Sequence, residues 1–278
     1  MISSWCLFFV SIVSIILLLY TIRHPLSFSE MYTPKTKNPT KIRRAILQTW
    51  KKNHDLPPLF QRMRDHLRRL HDGSLWKYEF YEDQDIDMFF HKEMPELESF
   101  YRKLSRRIQQ IDFFRYCVIY RFGGVYCDMD ILLHESLDSL LSEHEPGKMV
   151  FPAEYVMTLE DFHSLYPQWD RIVVPPFPKT KTMTCLGNYM FACPPRHPGL
   201  YRFLSFLMKD YDRRSFLIQQ WNHLSDTDRK SREIMYTTGP YILTEFYVRE
   251  PQWFQPVFHD ENFRFGRWAT HTMSGTWR

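Results

Sequence analysis

The stretch that decides the fold is DFFRYCVIYRFGGVYCDMD, residues 112–130. It opens inside a predicted helix, 108–122, which is dense in apolar residues and is stopped by the two glycines at 123–124. Residues 125–127 then predict a short strand that leads directly into an Asp-x-Asp triplet. A buried helix, a tight turn and a strand that ends in carboxylates predict an α/β fold with a site of polar side chains at one edge of the sheet.

The Asp-x-Asp triplet predicts a cation site. Side chains two apart in an extended segment project to one face, so Asp128 and Asp130 present their carboxylates together while Met129 points away. Two carboxylates suit Mn²⁺ or Mg²⁺ and leave coordination positions for the oxygens of a substrate diphosphate, although such pairs also occur in solvated turns. Asp112 and Arg115 share one face of the preceding helix, as either a structural ion pair or a ligand-facing pair.

The pattern outside this stretch alternates between strands and helices. The predicted strands are 42–48, 76–81, 125–127, 148–152 and 187–193, and the predicted helices are 59–70, 96–107, 108–122, 198–211 and 241–248. This alternation predicts an α/β domain, and no internal repeat is visible.

The composition is that of a globular protein. The chain has 278 residues, of which 44% are hydrophobic and 24% are charged, and this excludes a disordered or collagen-like protein. Its 36 basic and 32 acidic side chains are interspersed and give a net charge of +4. This mild excess does not indicate a nucleic-acid partner.

The cysteines have no zinc-site spacing. Cys6 falls in the N-terminal apolar run, and the other four permit disulfides without requiring them. Cys185 and Cys193 can pair, whereas Cys117 and Cys127 are expected to be small buried apolar residues.

The N-terminus predicts a membrane anchor. Residues 1–22 contain no Asp, Glu, Lys or Arg, and the mostly apolar run 5–22 reaches about 27 Å as a helix, the thickness of the hydrocarbon layer. We predict a transmembrane signal-anchor over 1–22, a Pro-containing stem over 23–40 and a catalytic domain over 41–278. A cleaved signal peptide is the alternative, but a basic n-region and a small-residue cleavage pattern are missing. Basic residues follow the span and favour a cytoplasmic body.

Five segments, taken together and in order, resemble one family. Residues 112–130 are similar to the sugar-binding region containing the DXD motif of glycosyltransferase family thirty-two. That family includes Golgi initiating α-1,6-mannosyltransferases, catalytic subunits of inositol phosphorylceramide mannosyltransferases and lactosylceramide α-1,4-galactosyltransferase. The other similar segments are 46–50, 188–198, 238–244 and 271–277. The chain departs from the family at Leu47, where His is usual, at Thr272 and Met273, which replace His-Trp, and at Thr276, which replaces Ser.

The resemblance implies a GT-A type fold, a single Rossmann-like sheet with the nucleotide-sugar at the carboxyl ends of its strands. It implies a metal-dependent retaining hexosyltransferase that moves mannose from GDP-mannose to a glycan or glycolipid acceptor. UDP-galactose and UDP-N-acetylglucosamine are the alternative donors. It also implies a single-pass type II membrane protein of the Golgi or a related secretory compartment, in conflict with the charge around the span.

The resemblance further implies roles for individual residues. Asp128 and Asp130 are the predicted catalytic residues and, with His271, the predicted ligands of Mn²⁺ or Mg²⁺. Asp112 and Arg115 would hydrogen-bond the hydroxyl groups of the donor sugar, and Asp128 would also reach the ribose. The remaining donor-binding candidates are Trp50, which would stack on the base, Asn188, Gly239, Thr276 and Trp277. For Trp50 the alternative is core packing, and for His271 it is solvent exposure.

The acceptor side is less defined by the sequence. The aromatic-rich stretch 151–177 either shapes an acceptor cleft or packs in the core, and the basic segments 62–69 and 102–107 form either a solvated face or a surface against anionic membrane. The retaining chemistry is open between same-face attack and a covalent intermediate. Oligomeric state and partner subunits are not indicated.

Two other classes compete with a transferase. A haloacid-dehalogenase-like phosphatase also places Asp-x-Asp after a strand, but it has a longer apolar strand before the pair and a small polar turn after it, where this chain has an apolar run at 131–133. A catalytically silent membrane-tethered binding protein would have lost carboxylates that this chain retains.

Overall fold

The structure is a computed structural model that describes residues 41–165, 181–259, 261 and 263–273. The predicted anchor 1–22, the predicted stem 23–40, Thr276 and Trp277 lie outside these residues. Among the helices that the structure describes, none is long and apolar enough to cross a membrane.

Strands and helices alternate along most of the chain. The strands are β1 (Ala45–Thr49), β2 (Lys77–Tyr81), β3 (Gly124–Cys127), β4 (Ile131–Leu133), β5 (Met149–Thr158), β6 (Thr182–Leu186), β7 (Met190–Cys193), β8 (Phe254–Val257), β9 (Arg264–Phe265) and β10 (Ala269–His271). The helices are α1 (Pro58–Leu70), α2 (Asp83–Glu93), α3 (Pro95–Lys103), α4 (Arg107–Phe122), α5 (Asp138–Glu143), α6 (Leu159–Leu165), α7 (Pro198–Gln219), α8 (Asp226–Thr237) and α9 (Pro240–Arg249). The predicted α/β class is confirmed.

The larger sheet is mixed. Its strand order is β2-β1-β3-β7-β5-β6, and β8 pairs with β5. β1 runs parallel to β2 and β3, whereas β7 runs antiparallel to β3 and β5. β3 and β5 therefore point the same way on either side of β7. All the residues of β1, β3 and β7 are buried, which is typical of central strands covered on both faces.

The two glycines at the start of β3 are required by close packing. Gly123 has φ of +70°, and a side chain there would meet Pro195 at 2.5 Å. Gly124 has φ of +125°, and a side chain there would lie 2.8 Å from the carbonyl oxygen of Ala45 on β1. Glycine tolerates both the left-handed backbone and the contact, so helix α4 can turn directly into the centre of the sheet.

Helix α4 is buried over most of its surface. Its residues from Asp112 to Tyr120 are all buried, and the aromatic rings of α2 pack against it, with Phe90 stacked on Phe113 at 5.6 Å and Phe89 edge-on to Phe114 at 5.2 Å. A helix that is apolar on all sides belongs in the core. The carboxylate and guanidinium that it carries are therefore held rigidly.

A small antiparallel sheet, β4-β10-β9, follows the Asp-x-Asp triplet. Its register pairs His271 of β10 with Ile131 of β4 and Ala269 with Leu133. This pairing brings the C-terminal segment next to Asp130, which directly precedes Ile131. No pattern in the sequence predicted this sheet.

Several predicted elements differ in extent. The predicted helix 96–107 ends at Lys103, because Leu104 is extended with φ −64° and ψ 116°. The predicted strand 148–152 continues to Thr158, and helix α2 was missed although Glu82 and Asp85 form a capping box at its start. The four described cysteines (Cys117, Cys127, Cys185 and Cys193) are buried free thiols, so the Cys185–Cys193 pairing is not formed.

Candidate active site

The directions of the strands bring the predicted site residues to one edge of the larger sheet. Trp50 follows β1 and Asp128 follows β3, and these strands are parallel. Asn188 and Tyr189 precede β7, which is antiparallel to β3 with Cys127 opposite Met190. The amide of Asp128 accordingly donates to the carbonyl oxygen of Tyr189 at 2.8 Å. Ligands of α/β sheets bind at this carboxyl edge.

Arg115 is the centre of a buried charged cluster. Its Nη1 donates to Asp128 Oδ2 at 3.1 Å and to the carbonyl oxygen of Asn188 at 2.8 Å, and its Nη2 lies 3.3 Å from Asp112 Oδ1. The guanidinium also lies 4.8 Å from the centre of the Tyr126 ring. Burial acts to lower the pKa of Arg115, but the carboxylates of Asp128 and Asp112 more than offset it and raise the pKa above its usual value. Arg115 therefore stays charged and holds both carboxylates in place.

Asp112 is bound from several sides. Asn188 Nδ2 donates to Asp112 Oδ1 at 3.1 Å, and Thr238 Oγ1 donates to Asp112 Oδ2 at 3.1 Å. Tyr116 joins the cluster because its hydroxyl accepts from Asn188 Nδ2 at 3.0 Å. Burial raises the pKa of Asp112 to about 6, against the opposing effect of Arg115. The carboxylate is thus oriented by neighbours from three elements.

Asp128 is positioned by the strand that delivers it. Tyr126, two residues earlier on the same face of β3, donates its hydroxyl proton to Asp128 Oδ1 at 2.8 Å. The Tyr126 oxygen is also 3.1 Å from Thr49 Oγ1 on β1. Burial raises the pKa of Asp128, although the charge of Arg115 acts in the opposite direction. About a quarter of the Asp128 side chain (26%) remains exposed, so it can still reach a ligand.

Asp130 and His271 form a second pair beside this cluster. His271 Nε2 lies 3.3 Å from Asp130 Oδ2, and the backbone amide of Thr272 donates to the carbonyl oxygen of Asp130 at 3.0 Å. The His271 ring stacks on Tyr189 at 4.3 Å between centroids. Burial disfavours the charged imidazole, but the hydrogen bond and charge of Asp130 raise the pKa of His271 above its usual value. His271 is therefore not the solvent-exposed histidine of the alternative interpretation.

The donor atoms of this pair fit a divalent cation. Two ligands about 2.1 Å from one ion and at right angles are about 3 Å apart, close to the 3.3 Å between Nε2 and Oδ2. Imidazole nitrogen and carboxylate oxygen both suit Mn²⁺. Both oxygens of Asp128 are engaged by Tyr126 and Arg115. Within the described part of the chain, no group of three or more His, Cys, Asp or Glu side chains is arranged to hold a metal ion.

Trp50 and Gly239 do not belong to the Arg115 cluster. Trp50 is half-buried at the carboxyl edge, packs edge-on against Phe60 at 5.2 Å and donates its indole N–H to the carbonyl oxygen of Asp55. Gly239 is buried at the start of α9, where a side chain would lie 3.1 Å from the backbone of Ile234. Its neighbour Thr238, and not Gly239 itself, reaches Asp112.

Three residues of this site were not assigned by sequence reasoning: Tyr126, Tyr116 and Thr238. Tyr126 could have been found, because it shares a strand face with Asp128. Thr238 lies 126 positions from Asp112, and no local pattern relates the two.

Part of the chain is similar to proteins of a known family. Residues 44–146 match the model of the family described as "Glycosyltransferase sugar-binding region containing DXD motif". Inositol phosphoceramide mannosyltransferase 1 of Schizosaccharomyces pombe is 27% identical over 177 residues, which cover 63% of this chain and 46% of that protein. Mannosyl phosphorylinositol ceramide synthase SUR1 of Saccharomyces cerevisiae is 25% identical over 215 residues, covering 77% of this chain and 44% of that protein.

A third relative and one solved structure are also similar to parts of the chain. The initiation-specific alpha-1,6-mannosyltransferase of Candida albicans is 27% identical over 129 residues, or 45% of this chain and 32% of that protein. The chain thus spans less than half the length of each of these relatives. The solved PaToxG glycosyltransferase has a TM-score of 0.48 and 14% identity, covering 76% of this chain and 71% of that chain. The predicted resemblance to glycosyltransferases with a DXD-containing sugar-binding region is thus matched by the family model over residues 44–146 and by these mannosyltransferase relatives.

Proposed function

We propose that this chain is a metal-dependent retaining hexosyltransferase of GT-A type that transfers mannose from GDP-mannose to a glycan or glycolipid acceptor. The observation that carries the proposal is the buried cluster in which Arg115 joins Asp112 and Asp128 at the carboxyl edge of the sheet. The choice of mannose is supported by the names of the relatives, which are inositol phosphoceramide and alpha-1,6-mannosyltransferases.

The cluster suits recognition of a sugar. Asp112 can accept hydrogen bonds from hydroxyl groups and Arg115 can donate to them, and both are fixed by Asn188 and Thr238. A fixed donor and a fixed acceptor discriminate between stereoisomers, because a hydroxyl group that points the wrong way leaves one of them without a partner. We propose that Asp112, Arg115 and Asn188 bind the sugar of the donor and that Asp128 binds its ribose.

Asp130 and His271 would hold the cation, with Asp128 beside them. A bound Mn²⁺ or Mg²⁺ would supply charge neutralisation for the departing diphosphate. In the transfer, the bond between the anomeric carbon and the β-phosphate oxygen breaks and its electron pair leaves with the diphosphate. The acceptor oxygen forms the new bond to that carbon on the face from which the diphosphate departs, and the proton of the acceptor hydroxyl group passes to a base or to solvent. Trp50 would stack on the base, and Gly239, Thr276 and Trp277 remain donor-binding proposals.

The proposed setting is a secretory membrane. A helix over 1–22 would anchor the catalytic domain in the Golgi or a related compartment, and the stem 23–40 would connect the two. This arrangement would bring the site near a glycolipid acceptor, in keeping with the relatives whose names include inositol phosphoceramide.

A thermal-shift experiment tests the donor. We expect GDP-mannose with Mn²⁺ to raise the melting temperature, because a ligand that binds only the native state at 100 times its Kd adds about 2.7 kcal/mol of stability. UDP-galactose and UDP-N-acetylglucosamine should have smaller effects. Asp130→Asn serves as the matched control and should lose the Mn²⁺-dependent part of the shift. If only UDP-sugars stabilise the protein, the choice of mannose is wrong, and if no nucleotide-sugar does, the proposed function is wrong.

A further inference from the structure

Glu154 occupies an irregular position in β5. The pairing of β5 with β6 shifts register between Ala153 and Tyr155, which places Glu154 in a β-bulge. Phe151, Pro152 and Ala153 before it are buried, whereas Glu154 is half-buried and remains accessible. Bulges commonly redirect a side chain next to an active site. The bulge therefore sets the side chain of Glu154 apart from the buried residues that precede it in β5.

The sheet register brings Glu154 to the edge that carries the Asp-x-Asp triplet. Ala192 of β7 pairs with Val125 on one side and with Val150 on the other. Counting forward along the two strands that flank β7, Asp128 is level with Ala153, and Glu154 lies one residue beyond. Two strand spacings separate the strands, or about 10 Å. β7 lies between these two strands, and Tyr189, which stacks on His271, directly precedes it.

Glu154 is left without a partner. Within the described residues, its carboxylate has no hydrogen bond or ion pair. Burial acts to raise its pKa, and the charge of His271 acts to lower it. A half-buried carboxylate that no protein group binds is available to a hydroxyl group of a ligand. Burial raises the pKa of Glu154 to about 7, which suits a group that exchanges a proton near neutral pH.

The strands on the two sides of β3 carry different candidate binding residues. Trp50, the residue proposed to stack on the nucleobase, follows β1 on one side of β3, whereas Glu154 belongs to β5 on the other. A nucleotide that extends from Trp50 toward Asp128 leaves the β5 side free for the acceptor.

We propose that Glu154 is the catalytic base that binds the attacking hydroxyl group, from the acceptor alcohol or from water. The inference rests on the proposed transferase function. The hydroxyl proton passes to the Glu154 carboxylate as the oxygen bonds to the anomeric carbon, and the bond from that carbon to the diphosphate breaks with its electron pair leaving on the diphosphate. Glu154 then releases the proton to solvent.

Hydrolysis of GDP-mannose tests this role without knowledge of the acceptor, because water takes the acceptor's place. The variants are Glu154→Ala and the isosteric Glu154→Gln, with Glu160→Gln, an exposed glutamate on α6, as the matched control. In both Glu154 variants we expect kcat to fall on the order of 100-fold, the usual contribution of a base, with KM and Kd for GDP-mannose within about threefold of the wild type. Sodium formate should restore part of the rate in Glu154→Ala, and Glu160→Gln should behave as the wild type.

Hydrolysis by both Glu154 variants within about threefold of the wild-type rate would overturn the proposal, since a base contributes far more. A parallel loss of donor affinity would also overturn it, because Glu154 would then support the donor site. If Glu154→Ala does not fold, the hydrolysis rate of Glu154→Gln alone tests the role of Glu154. A wild-type protein that hydrolyses no GDP-sugar or UDP-sugar would refute the transferase function itself, an outcome distinct from failure of the Glu154 assignment.

Discussion

Arg115 Nη1 lies 3.1 Å from Asp128 Oδ2, and both groups are held where the central strand β3 ends. The side chain of Arg115 is only 5% exposed, so this ion pair is screened little by water. It links the helix α4 to the Asp-x-Asp triplet.

Arg115→Met should destabilise the protein by about 3–5 kcal/mol, because it leaves the buried carboxylate of Asp112 and the partly exposed carboxylate of Asp128 without their cation. Arg44→Met is the control, since Arg44 is about half exposed (48%) and its pair with Asp138 should contribute at most about 1 kcal/mol. Urea unfolding followed by circular dichroism measures both. Equal stability of the two variants would show that the buried pair does not support the fold.

Thr238→Val should weaken donor binding. The valine keeps the shape of threonine but removes the hydroxyl that donates to Asp112 Oδ2, and a hydrogen bond to a charged group contributes about 1.5–3 kcal/mol. We expect a higher Kd for GDP-mannose by isothermal titration calorimetry, and Thr238→Ser should stay close to the wild type. If valine and serine bind the donor equally, Thr238 does not orient Asp112.

The stability contributed by Asp112 should depend on pH. Burial raises the pKa of Asp112 to about 6 from its ordinary value of 3.8, so between these pH values the native state binds more protons than the unfolded state. The contribution is full below about pH 4 and is lost as pH rises to about 6. Relative to Asp112→Asn, the unfolding free energy of the wild type should fall by about 3 kcal/mol across this window. A pH-independent difference in urea unfolding would contradict the shifted pKa.

His271→Ala should weaken Mn²⁺ binding by at least about tenfold, a loss that even an outer-sphere partner of a metal ligand can cause. His271 Nε2 and Asp130 Oδ2 are close enough to share one ion. His54→Ala, which removes an exposed histidine, is the matched control. Calorimetric titration with MnCl₂ measures both variants, and unchanged affinity in His271→Ala would remove His271 from the metal site.

The elements around the triplet could be predicted because their signals are local. The apolar helix, the two glycines and the strand that ends at Asp128 follow one another in 112–130, and the structure has them in that order. The i, i+3 spacing predicted that Asp112 and Arg115 share one helix face, and the structure has them in an ion pair at 3.3 Å, one of the two alternatives left open.

The rest of the site depends on pairings between distant segments. His271 reaches Asp130 because β10 pairs with β4, and these short strands lie more than 130 positions apart in the chain. The bulge at Glu154 arises from the pairing of β5 with β6, so it cannot be predicted from the sequence of β5 alone. The resemblance to a family identified His271, whereas no motif identified Glu154.

The most direct test of the central claim is the release of GDP from GDP-mannose with Mn²⁺ by the wild type and by Asp130→Ala. Cation stabilisation of a leaving group contributes several kcal/mol, so we predict that the variant loses on the order of 100-fold or more in rate. Urea unfolding of the variant is measured alongside, because Asp130 also pairs with His271 and the comparison of rates needs a folded protein. Near-native turnover by a folded Asp130→Ala protein would contradict the account.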